Sequence, residues 1–151
     1  MRKITPFLWF DDQAEQAMKF YVSIFKNSKI LEVTPGPDGT VMGVRFELDG
    51  QEFTGLNAGP AFTFTEAISF YVNCKDQAEV DDLWVKPFAG AGEESSCGWV
   101  KDRFGLWWQI IPEAFPRLMG DTDPVRAKRV VDAMLKMKKI DVAELERAYA
   151  A

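Results

Sequence analysis

The tetrapeptide Asp12-Gln13-Ala14-Glu15 recurs as Asp76-Gln77-Ala78-Glu79, and what flanks the two copies decides the fold. A four-residue match is weak evidence of duplication until its context repeats as well. Ahead of the first copy, Ile4 to Phe10 is rich in β-formers and aromatics and predicts a strand. Asp12 is placed to cap a helix, with Glu15 three residues on completing a capping box. Ala14, Ala17, Phe20, Tyr21, Ile24 and Phe25 then follow at helical spacing. Strands are predicted over Lys29–Thr34, Thr40–Leu48 and Gln51–Asn57, the last two joined by Asp49-Gly50, a strong hairpin signal.

The second copy sits in the same context. Phe64–Cys74 reads as a strand, and Asp76 with Glu79 caps a helix whose apolar face is Val80, Leu83, Trp84 and Phe88. A break at Gly90–Gly92 leads to strands at Cys97–Lys101 and Leu106–Ile111, joined by a turn at Asp102-Arg103-Phe104-Gly105 and ended by Pro112. Strand, helix, then two or three strands is thus written twice. The stretch from Asp76 to Gly105 is shorter than that from Asp12 to Gly50, so one strand of the second unit should be short or missing. Beyond residue 112 the chain reads as helical. Asp123 with Pro124 marks one helix start, continuing over Val125–Lys138 with Ala127, Val130, Val131, Met134 and Leu135 on one side. Asp141 with Glu144 marks another. The expected class is α+β: module 1 over 1–60, module 2 over 61–112, and a helical extension over 113–151.

Composition narrows the function. The chain has 151 residues, enough for one well-buried core, and a net charge of -5. That charge repels nucleic acid and anionic membrane, so neither is expected as a partner. Arg2 and Lys3 precede an apolar run too short for a secretory leader, and no run approaches the ~20 residues of a membrane span. A cytoplasmic protein is expected. Cys74 and Cys97 form no CxxC, which argues against a disulfide framework or zinc knuckle. There is no histidine, which removes Ser-His-Asp and Cys-His catalysis and imidazole metal ligation together.

Several stretches carry a family resemblance: ITPFLWFDDQAEQAMKFYVSIFKNSKI (4–30), FELDGQEF (46–53), FTEAISFYVNC (64–74), CGWVKDRFGLWWQIIP (97–112) and RVVDAMLKMKKIDVAELERAY (129–149). Together they resemble the vicinal oxygen chelate superfamily of glyoxalase, bleomycin-resistance and extradiol-dioxygenase proteins. Within it they resemble the PhnB-like branch, whose domain bears the name 3-demethylubiquinone-9 3-methyltransferase. The resemblance implies two tandem βαβββ modules, each curling its strands into half of a cup, and a homodimer. It also implies ligands from the first and last strand of each module, with His, Glu or Gln at those positions in the metal enzymes. Aligning the two DQAE copies pairs Thr5, Phe7 and Trp9 with Ser69, Tyr71 and Asn73. Counting from Gly50 and Gly105 pairs Thr54 with Gln109. Gln109 stands where the family usually has a glutamate ligand, while the histidine positions fall near Ala67 and near Lys3 or Thr5. Such a set is poor in donors for a transition metal, so no metal is expected; Glu52 and Glu66 are nearby carboxylates that would reopen the question. No glycine-rich loop joins the first strand to its helix at Phe10-Asp11-Asp12-Gln13, so no S-adenosylmethionine site is evident, and no cofactor is expected.

The candidate ligand-binding set is Thr5, Phe7, Trp9, Thr54, Ser69, Tyr71, Trp99, Trp107 and Gln109. These residues are either the aromatic lining and polar floor of a cup for an apolar or aromatic molecule, or ordinary sheet residues. Cys97, near Lys101 and Arg103, is either a reactive thiol or an inert one, and Cys74 reads as structural. The acidic residues at helix starts suit the helix dipole. The basic residues of the tail are either a nucleic-acid arm or the solvated face of an amphipathic helix whose apolar stripe covers its own sheet or a second subunit. Three functions stay open: a metal-free small-molecule-binding protein, a metal-dependent isomerase, lyase or dioxygenase with an unorthodox site, and a structural or regulatory partner acting through its tail.

Overall fold

The structure is a computed structural model that describes residues 2–88 and 92–151, with Phe88 through its backbone only. The Gly90 break and the Phe88 side chain expected on the second helix therefore lie outside the described residues. The chain divides into two compact units, one ending at Phe64 and the other running from Thr65 to Ala151.

In the first unit, strand β1 (Phe7–Phe10) leads through helix α1 (Ala14–Ile24) to β2 (Lys29–Pro35), β3 (Val41–Leu48) and β4 (Gln51–Asn57). The sheet order is β1-β4-β3-β2, with β1 parallel to β4 and the rest antiparallel. In the second unit, β5 (Phe70–Cys74), α2 (Gln77–Val85), β6 (Glu93–Glu94), β7 (Trp99–Lys101) and β8 (Trp107–Pro112) repeat the order as β5-β8-β7-β6, with β5 parallel to β8. The duplication is real. The expected shortfall falls on β6, which is two residues long.

Three strands are shorter than the sequence suggests. β1 starts at Phe7, although the Pro6 carbonyl already accepts from Thr54 N. β5 starts at Phe70. β7 starts at Trp99, because Cys97 (φ 61°) and Gly98 (φ 85°) are both left-handed and bend the chain out of the ladder. The β3–β4 turn has positive φ at Asp49 and Gly50, the pair a two-residue hairpin needs.

Each helix packs on one face of its sheet. α1 buries Ala14, Ala17, Met18, Tyr21 and Ile24, while Phe20 and Phe25, expected on the same stripe, are half-buried. Facing α1 are Leu8, Phe10, Val44, Phe46, Leu48 and Phe53. Burying each such large side chain contributes roughly 1.5–3 kcal/mol. Gly55 makes room for side chains of the flanking strands: a Cβ there would lie 2.9 Å from Val44 Cγ2 and 3.3 Å from the Phe10 ring.

The identical tetrapeptides start their helices differently. Asp76 caps α2 as expected, accepting from Glu79 N at 3.0 Å, while the Glu79 carboxylate accepts from Lys75 N. Asp12 does not cap α1. Its place is taken by Asn57, whose Oδ1 accepts from Ala14 N at 2.8 Å. The reason lies in the neighbouring strand. Asn57 pairs with Phe10 at the end of β4, whereas the matching partner of Cys74 is Pro112, whose side chain can accept nothing.

The extension forms α3 (Ala114–Met119), α4 (Pro124–Met134) and α5 (Val142–Ala150) within the second unit. Asp123 caps α4 through Val125 N, and Asp141 caps α5 through Glu144 N. α3 falls in the stretch expected to be helical, though no start signal marks it; its Pro116 lies in the first turn, where a missing N–H costs nothing. α4 stops at Met134, short of the expected Lys138 and leaving Leu135 exposed, because the Met137 and Lys138 carbonyls turn to accept from Cys97 N and Gly98 N.

Since only the second copy caps itself, Asp76→Ala should lower unfolding free energy by about 1 kcal/mol and Asp12→Ala by no more than a few tenths. Urea melts of the two variants check this, and equal losses would refute the assignment. Asn57→Ala should cost about as much as Asp76→Ala.

Candidate functional site

Strand alternation leaves each sheet a second face, away from its helix. In the first unit Phe7 pairs with Thr54 and Thr54 with Arg45, which pairs with Glu32, so one row crosses all four strands. In the second unit Tyr71 pairs with Gln109 and Gln109 with Trp99. The register inferred from the repeat, Phe7 with Tyr71 and Thr54 with Gln109, is the one observed.

The second-unit row is the better formed. Gln109 Nε2 donates to Ser69 Oγ at 2.9 Å, which leaves the other end of the amide for a partner. Trp99 and Trp107 meet edge to face, centroids 6.3 Å apart. Tyr71, 52% exposed, stands on the other side of Gln109, and partial burial raises its phenol pKa above the ordinary value. Ser69, Tyr71, Trp99, Trp107 and Gln109 are thus brought together.

The first-unit row differs. Phe7 is 62% exposed. Trp9 is occupied in holding the segment after β4: its Nε1 donates to the Gly59 carbonyl and its ring meets Phe62 edge-on at 4.8 Å. Thr5, half-buried, lies just before β1. Beside Thr54, Arg45 bonds Glu32 at 2.8 Å and Glu52 at 3.0 Å, and those bonds, Glu52 first, raise the guanidinium pKa. This triad escaped the sequence reading. Counting pairs outward from Asp49-Gly50 would have found it, since Arg45 falls opposite Thr54 and Glu52 two residues away on the same face.

Asp102 was also missed. Read as a turn residue, it is 1% exposed. One oxygen accepts from Phe104 N (2.8 Å) and Leu106 N (3.0 Å), the other from Trp108 Nε1 (2.9 Å). A buried carboxylate is tolerated when its lone pairs are filled, and this one fixes the hairpin that carries Trp99, Trp107 and Gln109.

An open cavity of about 790 Å³ lies elsewhere in the first unit, between the start of α1 and the β2–β3 turn, and includes Asp11, Asp12, Glu15 and Asp38 in its lining. The Asp38 carboxylate accepts from the Thr40 hydroxyl and backbone N–H, which lowers its pKa. Among the described residues no three His, Cys, Asp or Glu side chains come together as a metal group. The oxygens on the Thr5, Thr54, Ser69 and Gln109 set are hydroxyls and one amide, and the nearby Glu52 is held by Arg45. These residues do not fit a divalent transition ion. Glu66 is exposed.

With this geometry in view, comparison with known proteins places the chain. Residues 2–111 match the family described as 3-demethylubiquinone-9 3-methyltransferase. The chain belongs to that family, a PhnB-like branch of the vicinal oxygen chelate superfamily. A putative 3-demethylubiquinone-9 3-methyltransferase, PhnB protein, from Bacillus cereus is 35% identical, with a TM-score of 0.68 over 74% of this chain and 99% of its own. A protein of Pseudomonas aeruginosa is 19% identical, with a TM-score of 0.61 over 75% of this chain and 98% of its own. A fosfomycin resistance protein from Listeria monocytogenes, complexed with Mn(II) and a dihydroxypropylphosphonic acid, is 12% identical, with a TM-score of 0.54 over 72% of this chain and 90% of its own. The last two show the fold alone. No curated protein matches the sequence. Among the described residues no helix is long and apolar enough to cross a membrane.

Two measurements test the assignments. Asp102→Ala orphans an indole and two backbone donors and should cost about 3 kcal/mol, read as a fall in urea midpoint; a loss under ~0.5 kcal/mol would contradict the network. The Cys74 thiol is pushed up to about 12, chiefly by burial and then by Glu79, so iodoacetamide at pH 8 should modify Cys97 and spare Cys74 until the chain unfolds. Because the folded-state value lies above the ordinary value of about 9, this stabilising term is complete below pH 9 and is lost as the pH climbs toward 12.

Proposed function

We propose that the protein binds a neutral apolar or aromatic small molecule on the Tyr71–Gln109–Trp99 face of its second unit, without a metal. The observation that carries this reading is Gln109, framed by Tyr71, Trp99 and Trp107, with one end of its amide spent on Ser69. Aromatic walls around a few polar groups are the usual make-up of small-molecule sites. The ligand is neutral because the chain carries a net charge of -5, which disfavours anions, while no carboxylate belongs to this row to attract a cation. The metal-free part rests on the donor set, which offers hydroxyls and an amide in place of imidazole, thiolate or free carboxylate. The methyltransferase in the family's name finds no support in the β1–α1 connection, Asp11-Asp12-Gln13, which offers no glycine-rich loop for S-adenosylmethionine.

Titration with 1-naphthol, followed by tryptophan fluorescence, tests the proposal. Saturable binding is expected, weakened about tenfold (~1.4 kcal/mol) by either Gln109→Ala or Trp99→Ala. Absence of saturable binding, or indifference to both substitutions, would sink it. A saturable rise in melting temperature with Mn²⁺ that Gln109→Ala abolishes would favour the metal-dependent enzyme instead.

A further inference from the structure

We infer that the C-terminal extension is the end wall of this ligand face and sets the length of molecule it admits, an inference that rests on the binding reading above. Ile111 follows Gln109 on the same face of β8, one side-chain repeat along the strand, and pairs with Asn73. Without a covering layer it would be the next residue a ligand meets. It is 3% exposed, sealed by Leu118, Val130, Ile140 and Leu145 of the extension. The wall is fastened close to the site. Cys97 N and Gly98 N, directly before Trp99, donate to the Met137 and Lys138 carbonyls at 2.8 Å each. A Cβ on Gly98 would come within 2.7 Å of Ile111 Cδ1 and 3.1 Å of Ile140 Cγ1, so glycine is what permits this contact. On the other side Gln77 of the second DQAE copy brackets the segment, accepting from Val142 N at 2.7 Å and donating to the Ile140 carbonyl at 3.0 Å. Lys139 adds an ion pair with Asp81 at 2.7 Å.

The extension is an addition to a fold that is complete without it. The family match ends at residue 111. The Bacillus cereus relative is matched over 99% of its length by 74% of this chain. Residues 137–140, beyond the matched part of the chain, close this face beside the row that holds Gln109.

The test is a series of 4-alkylphenols, from methyl to octyl, titrated against the full-length wild type, Ile140→Ala and Val80→Ala. Affinity should rise with chain length in the wild type, as each buried methylene adds to binding, then fall at a limit. In Ile140→Ala that limit should move out by one or two carbons, with the first excluded phenol gaining about tenfold in affinity. Val80→Ala empties the core under α2, on the helix side of the same sheet and outside the wall, so it should lower the melting temperature and leave the limit in place. If Ile140→Ala does not fold, Gln77→Ala, which frees the bracket, should also lengthen the limit. Binding with an unmoved limit, or an equal shift in Val80→Ala, overturns the wall alone. No alkylphenol binding in any chain overturns the ligand reading and the wall with it.

Discussion

The structure depends on one constraint, the parallel pairing of the first and last strand of each module. Parallel neighbours cannot be joined by a tight turn, so the chain between them must make a long excursion. Here the excursion is a helix and an antiparallel meander, and it sends the helix to one face of each sheet. Phe7 then lies beside Thr54 and Tyr71 beside Gln109, residues far apart in the chain. The buried face follows from the same pairing, since alternation commits Leu8, Phe10, Val44 and Phe46 to the helix side once the register is set.

Within that shared frame the two copies have diverged. The first-unit row ends in an ionic triad around Arg45, and its tryptophan holds a loop. The second-unit row replaces arginine with Trp99 and threonine with Gln109, and its hairpin is pinned by the buried Asp102 carboxylate. One module therefore spends its polar groups on itself, while the other leaves an amide among aromatics. The helix starts diverge for a related reason: the same four residues are capped by whatever the neighbouring strand end supplies, an asparagine amide in one case and nothing in the other.

The extension covers the second unit's sheet at Ile111, the residue that follows Gln109 on the same face of β8. Val130 of its apolar stripe packs with other residues of the extension over Ile111 of β8, while Leu135 stays exposed. The cluster of Ile111, Val130, Ile140 and Leu145 is the physical result. Its attachment runs through backbone carbonyls and one glutamine, contacts that carry no sequence signature.

The sequence by itself determined the module order, the hairpins, the short strand of the second unit, the helical tail and the register between copies. These are local signals, hydrophobic period, turn chemistry and an internal repeat, legible without knowing what packs on what. Most of the candidate row was legible too, because Tyr71 and Gln109 follow from counting. Only the tertiary structure decided which residue caps α1, where α4 stops, that Arg45 is locked between Glu32 and Glu52, and that Asp102 is buried. In the first three the partner comes from another strand or from far along the chain, while Asp102 is buried by the folding of its own hairpin, which turns Phe104, Leu106 and Trp108 onto it. A side chain's propensity says what it can bond, but the groups it meets are set by the long-range pairing of strands and helices.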